Sequence, residues 1–207
     1  MTTTILLIRH GQTDWNAAGR WQGHEDIPLN GTGRKQAALL AARLAQWRIT
    51  AVYSSDLKRA AETAAILAEA LRLEVIADRA WRERNGGAFQ GLTGAEIEVQ
   101  LPEAWANLRR GIVAPPGGET GEDLRRRITG AFHRLVQQHN GEMVAVVTHG
   151  GALRALITHV LLLPPDNDPR ISLRGNTGLS IVEVEEGLPP RLVRLNDTGH
   201  LEDPWRA

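Results

Sequence analysis

Apolar residues along this chain alternate between two spacings, one typical of strands and the other of helices. Short β-branched and apolar runs predict strands at residues 3–8, 51–54, 73–77, 143–147, 179–184 and 192–195. Apolar positions three and four apart predict helices over residues 30–47, 56–71, 93–109, 122–139 and 152–161. This alternation predicts an α/β fold, a three-layer α/β/α sandwich around a mostly parallel central sheet.

Local signals mark helix starts and a region of different character in the middle of the chain. Asn30 can cap the second predicted element, and Thr93 with Glu96 has the spacing of a capping box. Glycines and prolines interrupt the pattern in residues 79–92 and 113–120. A length of 207 residues suits one domain, so we expect residues 1–207 to form it. Residues 79–140 would form a helical and loop insertion over the site, like a cap.

Two histidines follow predicted strands at the point where each strand ends. Arg9 and His10 come after the first strand, and His149 comes after the run Met143–Val147, which is apolar throughout and therefore typical of a strand covered on both faces. Glycine follows each histidine, as Gly11 and Gly150, and would let the chain turn and a ligand approach. Because sites in parallel sheets lie at the carboxyl ends of strands, we expect both imidazoles at one site. Either histidine alone would more often be a structural residue.

An arginine and a glutamate extend this candidate site. Arg59 falls in the first turn of the predicted helix 56–71, where free amides and the helix dipole favour anions. Glu83 lies in a loop between Arg82 and Arg84, which we expect to point away from the site. Taken singly, Arg59 could equally be a solvated surface charge, and Glu83 would usually be one. Together, two imidazoles, two guanidinium groups and one carboxylate favour a phosphate ligand, since forked arginine donors match its oxygens.

Composition and missing motifs remove several function classes. The chain has no cysteine, so disulfides, thiolate zinc sites and thiol nucleophiles are excluded. With 24 basic and 24 acidic residues it has no net charge, which gives no long-range attraction to nucleic acid or to an anionic membrane. A paired-histidine zinc motif and a Walker-type phosphate loop are both absent. We therefore expect no metal and no cofactor.

The location of the protein is predicted from the lack of targeting features. No apolar stretch approaches the roughly 20 residues that span a bilayer. The first residues have no basic region or cleavage-site pattern of a signal peptide. We expect a cytoplasmic protein that binds neither nucleic acid nor membranes and is a monomer or a homodimer.

At these residues the sequence resembles the histidine phosphatase superfamily, whose fold is that of phosphoglycerate mutase. The stretch from Leu7 to Asn16, which contains Arg9-His10-Gly11, looks like the family's signature. Further blocks that fit the family follow in order at residues 55–64, 83–91, 117–120, 147–151, 175–178 and 195–197. The resemblance covers essentially the whole chain.

The resemblance implies a role for each of these residues. His10 would be the nucleophile, Glu83 the proton donor, and Arg9, Arg59 and His149 the phosphate pocket. Further substrate contacts would come from Asn16, Gln22, Gly23 and Gly150. The implied activity is metal-independent hydrolysis of a small phosphorylated metabolite through a phosphohistidine, which releases inorganic phosphate.

Two alternatives to hydrolysis stay open. The first is phosphoglycerate mutase, in which the phosphoryl group returns to a rotated substrate. Family mutases resemble this chain but have a longer segment where residues 91–116 stand, and that segment here offers only Arg109 and Arg110 as a carboxylate clamp. The second alternative is a binding protein without turnover, which the intact set of reacting residues disfavours. Four apolar residues would either shape a pocket or fill core, and we favour core: Trp81, Phe89, Trp105 and Leu108.

Overall fold

The computed structural model describes residues 1–109, 114–163, 171, 173 and 175–202. The strands are β1 (Thr2–Arg9), β2 (Ile49–Ser54), β3 (Val75–Ala77), β4 (Met143–Thr148), β5 (Leu179–Glu185) and β6 (Arg191–Asp197). The helices are α1 (Asp14–Ala17), α2 (Gly31–Leu44), α3 (Lys58–Leu71), α4 (Gly94–Gln100), α5 (Pro102–Arg109), α6 (Gly121–Gln138) and α7 (Gly150–Val160). The predicted alternation of strands and helices is therefore confirmed.

The strands form one six-stranded sheet in the order β3-β2-β4-β1-β5-β6. The four strands from β3 to β1 are parallel, whereas β5 and β6 form the predicted antiparallel hairpin. β1 and β4 are neighbours, and their last paired residues are Arg9 and Thr148. The residues that follow these two strands consequently leave the sheet side by side.

The sheet is covered by apolar side chains on both faces, which gives the three predicted layers. Alternate residues of β1 point to opposite sides: Ile5 and Leu7 pack with α6 and α7, whereas Leu6 and Ile8 pack with α2 and α3. All four are fully buried. Each such side chain stabilises the fold by roughly 1.5–3 kcal/mol, so β1 is anchored firmly where it delivers its last residues.

The predicted helix over residues 93–109 is two helices. Thr93 and Glu96 form the expected capping box at the start of α4. α4 ends at Gln100, with Leu101 as its C-cap, because Pro102 has no backbone N–H to continue the hydrogen-bond ladder. Pro102 instead occupies the first position of α5. α4 and α5 cover a small core of Phe89, Ile97 and Leu108, which is separate from the sheet.

Residues 79–92 form a loop with two short 3-10 turns, Arg79–Trp81 and Gly87–Phe89. Trp81 lies in the core beneath α6 and α7, and Phe89 lies in the small core covered by α4 and α5. Both side chains are buried, so both fill core, as expected. α6 also packs on the sheet, beside α7. The division into one domain with a cap-like insertion stays a prediction.

Within the described residues, no helix combines the length and the hydropathy that crossing a membrane requires.

Candidate active site

The two predicted histidines meet at the carboxyl ends of β1 and β4. The backbone N–H of His10 donates to the carbonyl of Thr148 at 2.9 Å, which continues the pairing of the strands by one residue. The imidazole centroids of His10 and His149 lie 5.1 Å apart, and both rings are buried. The prediction that adjacent strand ends place these rings together is confirmed.

A backbone carbonyl fixes the proton on the imidazole of His10. Nδ1 lies 2.7 Å from the oxygen of Gly11, and since a carbonyl only accepts, Nδ1 must carry the hydrogen. In the neutral ring this leaves a lone pair on Nε2. Gly11 has a second role, because a Cβ there would lie 2.5 Å from the carbonyl oxygen of Gly33 in α2.

The opposite tautomer is fixed at His149. Nε of Arg59 donates to Nδ1 of His149 at 3.2 Å, so in the neutral ring the hydrogen of His149 is on Nε2. This Nε2 is buried and has no hydrogen-bond partner among the described residues. His149 thus offers a donor even when it is uncharged.

Arg59 is fully buried and is held by backbone oxygens. Its two terminal nitrogens each donate at 2.7 Å, one to the carbonyl of Glu25 and the other to that of Gly23. Three of its five N–H groups are thereby used, which leaves two for an anion. Desolvation lowers the pKa of Arg59 to about 10, so the guanidinium group is charged at neutral pH.

Burial and the neighbouring arginines keep both imidazoles neutral. Desolvation is the main cause that holds the pKa of His10 well below its usual value, and the charges of Arg59 and Arg9 add to it. The pKa of His149 is also lowered well below its usual value, first by desolvation and then by Arg59, His10 and Arg9. Desolvation also lowers the pKa of Arg9, which lies at the end of β1 and donates from Nη1 to the carbonyl of Leu173 at 3.1 Å.

The carboxylate of Glu83 sits on the N-terminus of α7. Oε2 accepts from the backbone N–H of Gly151 at 3.0 Å, and Oε1 accepts from those of Ala152 at 3.1 Å and Arg84 at 2.8 Å. This is the position of a capping residue, supplied by a distant loop, and the helix dipole favours a negative charge there. Oε2 accepts one hydrogen bond and so keeps a lone pair for a proton.

The two arginines beside Glu83 behave differently from each other. Arg82 turns away and pairs with Asp56 through two contacts of 2.6 Å, as expected. The expectation that Arg84 also points away is wrong, because Arg84 lines the cavity in front of Glu83. Its Nε donates to the carbonyl of Glu119 at 2.8 Å, which turns the side chain in this direction.

Three other predicted contact residues also line this cavity: Asn16, Gln22 and Gly23. The hydroxyl of Thr13 lies 3.0 Å from Oε1 of Gln22 and 3.2 Å from Oδ1 of Asn16, which ties the two amides together. Gly150 is instead placed beside Nε of Arg9, and of the two glycines that follow His149 it is Gly151 that lines the cavity. The roles of all these residues stay predictions.

The cavity has a volume of about 370 Å³ and is lined by Arg9, His10 and Arg59, whereas His149 is fully buried and is not among its lining residues. Its described lining includes five arginines and one carboxylate, that of Glu83. The residues that sequence reasoning did not assign to the site are Gly19, Arg20, Trp21, Arg84, Leu108, Gly121, Leu124, Gly151, Arg154, Ala155 and Thr158. Arg154 could have been found, because it is one helical turn beyond Gly150 and Gly151. Arg110 and the side chain of Arg109, the suggested clamp, lie outside the described residues.

Among the described residues, no three His, Asp or Glu side chains are placed together so that they could hold a metal ion.

Comparison with known proteins gives the family. The profile of the histidine phosphatase superfamily, branch 1, matches residues 5–198. A metal-independent phosphoserine phosphatase of Arabidopsis thaliana is 44% identical over 163 residues, which are 76% of this chain and 68% of that protein. Phosphoglycerate mutase-like protein 4 of the same plant is 39% identical over 204 residues, 96% of this chain and 87% of that protein.

A solved structure agrees with these sequence similarities. The mycobacterial glucosyl-3-phosphoglycerate phosphatase superposes with a TM-score of 0.85 at 34% identity, covering 93% of this chain and 98% of that one. The chain belongs to the histidine phosphatase superfamily, branch 1. The resemblance and the phosphoglycerate mutase-like fold predicted from the sequence are confirmed, and so is the predicted class of enzyme, a phosphoric monoester hydrolase.

Proposed function

We propose that this protein hydrolyses small phosphate monoesters without a metal ion, by way of a phosphohistidine on His10. The observation that carries the proposal is the tautomer of His10, a cavity-lining residue whose Nε2 keeps a lone pair beside Arg9 and Arg59. A neutral imidazole in this position is a nucleophile at neutral pH. Metal independence is also supported by the similarity to the phosphoserine phosphatase, whose name states it.

In the first step, Nε2 of His10 attacks phosphorus while the bond from phosphorus to the ester oxygen breaks. Arg9 and Arg59 neutralise the phosphate dianion and stabilise charge on its equatorial oxygens. The Nε2–H of His149 and the amide of Asn16 add uncharged donors to the same group. Preorganised donors of this kind supply most of the catalysis in phosphoryl transfer, since the protein need only position and stabilise the group.

Glu83 serves as the acid and then as the base. An alkoxide is a poor leaving group, so the carboxyl group of Glu83 delivers its proton to the ester oxygen as that bond breaks. In the second step the carboxylate takes a proton from water, whose oxygen attacks phosphorus. The bond from phosphorus to Nε2 of His10 then breaks, and inorganic phosphate leaves. Glu83 is reprotonated and His10 is neutral again.

We propose further that the leaving group carries an anion. A phosphate dianion balances Arg9 and Arg59, and Glu96 pairs with Arg20 at 2.7 Å. Arg84 also lines the cavity, together with the apolar residues Leu124 and Ala155. A small phosphorylated hydroxy acid or amino acid fits this arrangement, and the phosphatase relatives support it, since their names contain phosphoserine and 3-phosphoglycerate. Cytoplasmic location and the monomeric or homodimeric state stay predictions.

Mutase activity is the second candidate, because several relatives are named phosphoglycerate mutase-like or probable phosphoglycerate mutase. The two activities are separated by supplying 3-phosphoglycerate and measuring released phosphate together with 2-phosphoglycerate. We expect phosphate to accumulate and little isomer to form. Isomer formation that outruns phosphate release would make the protein a mutase.

The covalent intermediate is the direct test of the mechanism. After brief reaction with a ³²P-labelled monoester and quenching in alkali, which preserves phosphohistidine, the label should lie on the peptide that contains His10. The variant His10→Ala should show neither label nor turnover. An unlabelled peptide from enzyme that is turning over would refute the mechanism.

A further inference from the structure

We propose that Asn176 is a positioning residue, whose side-chain amide holds the nucleophile His10 and the phosphate donor Asn16 in their working orientations. Asn176 lies in the loop before β5, outside the residues that line the cavity. The inference rests on the proposed function, since it assigns the residue to the phosphoryl-transfer site.

The amide of Asn176 joins two residues of the site. Its Nδ2 donates to the backbone carbonyl of His10 at 3.0 Å and to Oδ1 of Asn16 at 3.3 Å. The first contact settles which way the amide is turned, because a carbonyl oxygen can only accept and must therefore face the NH₂ end. Both amide hydrogens of Asn176 are thus used on the site.

The orientation of Asn16 follows from the same logic. Its Oδ1 accepts from the backbone N–H of Thr13 at 3.1 Å as well as from Asn176. With its oxygen held by these two donors and by the Thr13 hydroxyl at 3.2 Å, the side chain of Asn16 has its own NH₂ group left for the cavity that it lines. Phosphate oxygens only accept, so this is the end of the amide that a phosphate needs. If Asn16 were turned the other way, it would present an oxygen to the substrate.

The loop that carries Asn176 is also fixed by hydrogen bonds of the next residue, Thr177. Thr177 has a left-handed φ of 54°, and its backbone N–H donates to the carbonyl of His10 at 3.3 Å. The hydroxyl of Thr177 donates to the carbonyl of Asn176 at 2.7 Å and lies 2.9 Å from Nε2 of His200. Since that hydroxyl has one hydrogen, Nε2 of His200 is the donor in the second contact. Asn176 is therefore placed by its own backbone contacts, whether or not its amide is present.

Removing the side-chain amide of Asn176 should weaken phosphate binding, which a loss of stability alone would not do. Without it, the carbonyl of His10 keeps only the Thr177 donor, and Asn16 loses the partner that helps to fix its orientation. We expect Asn176→Ala to bind inorganic phosphate roughly tenfold more weakly, the effect of losing one hydrogen bond to a charged group. In Asn176→Asp, which has the same shape, oxygen replaces the donor and faces two acceptors, so the loss should be larger.

Binding of inorganic phosphate, measured directly by calorimetry, is the primary readout because it needs no turnover. A wild type that binds phosphate but hydrolyses no ester would refute the proposed function, whereas the phosphate affinities of the variants would still show whether Asn176 orients Asn16. Unchanged phosphate affinity in both variants, with or without a lower melting temperature, would overturn the inference, since a merely structural residue behaves in that way.

A double-mutant cycle tests whether Asn176 acts through Asn16. In the Asn16→Ala background, we expect Asn176→Ala to weaken phosphate binding by no more than about threefold, because the amide it orients is gone. Additive losses in phosphate affinity would overturn the inference. If the variants do not fold, a structure of the wild type with orthovanadate decides: Nδ2 of Asn16 should contact vanadate oxygen while Oδ1 faces Asn176, and the reverse orientation refutes the proposal.

Discussion

The carboxylate of Glu83 occupies the space that a side chain on Gly151 would fill. An added Cβ would lie 2.4 Å from Oε1, while the backbone N–H of Gly151 donates to Oε2 at 3.0 Å. The glycine thus allows the helix N-terminus and the proton donor to approach each other. We expect Gly151→Ala to displace the carboxylate and to lower kcat on alkyl phosphates about 100-fold. Steady-state kinetics and phosphate binding would be measured together, and the affinity for phosphate should change little.

A second glycine provides the matched control for this substitution. Gly130 lies within α6, where an added Cβ would meet only the end of the Arg134 side chain at 3.6 Å. Gly130→Ala should leave kcat unchanged and raise the melting temperature, since alanine favours a helix over glycine by about 1 kcal/mol. Equal activity of Gly151→Ala and Gly130→Ala would show that Glu83 need not be held on the helix.

The acid role of Glu83 predicts a dependence on the leaving group. Glu83→Gln keeps the shape but cannot donate a proton in the same way, so hydrolysis of phosphoserine should fall by about 10² to 10⁴. With p-nitrophenyl phosphate, whose leaving group needs little protonation, formation of the phosphohistidine should fall much less. The rate of phosphorylation would be followed in single-turnover experiments with both esters. Equal losses for the two would contradict the assignment.

The anion subsite predicts a preference between two substrates that differ by one carboxylate. Phosphoserine should have a higher kcat/KM than phosphoethanolamine, and Arg84→Gln should reduce that ratio by roughly tenfold through the loss of a charged contact. The neighbouring variant Arg82→Gln is the control, because Arg82 pairs with Asp56 away from the cavity. A ratio that is unchanged in Arg84→Gln would remove Arg84 from substrate recognition.

The buried imidazoles make stability depend on pH. The folded-state pKa of His10 and of His149 lies below the usual value of about 6.5. Below that pH the unfolded chain binds protons that the folded one does not, so the free energy of unfolding falls as pH decreases. Each histidine contributes a slope of up to about 1.4 kcal/mol per pH unit.

Urea unfolding between pH 7.5 and pH 5.5 measures this effect. The wild type should lose stability over that range, and His10→Ala should lose it less steeply because one of the two buried rings is gone. A slope that is the same in wild type and variant would mean that His10 is protonated as readily in the folded state as in the unfolded chain.

Much of the site could be predicted because several of its residues come directly after strands of the parallel sheet. An apolar run such as Met143–Val147 identifies a buried strand, and parallel neighbours deliver their next residues to one edge. His10 and His149 are placed by that rule alone. Arg59 is similar, because the start of α3 is readable from its pattern. These residues depend on local spacing and on one general property of parallel sheets.

Other features depend on contacts between distant parts of the chain and could not be predicted. Arg84 turns into the cavity because the carbonyl of Glu119, 35 residues later, accepts from its Nε. Glu83 caps a helix that begins 67 residues after it. The break at Pro102 is a different case, since a proline that interrupts a helix can be read directly from the sequence.

The position of β1 between β4 and β5 also determines the order of events during synthesis. The carbonyl of His10 is bound by a side chain 166 positions later, and both strand partners of β1 are translated long after it. The apolar strand β1 therefore leaves the ribosome before the two strands that pair with it, β4 and β5, have been made. The two imidazoles can therefore meet only after β4 and His149 have left the ribosome, which is late in the synthesis of the chain.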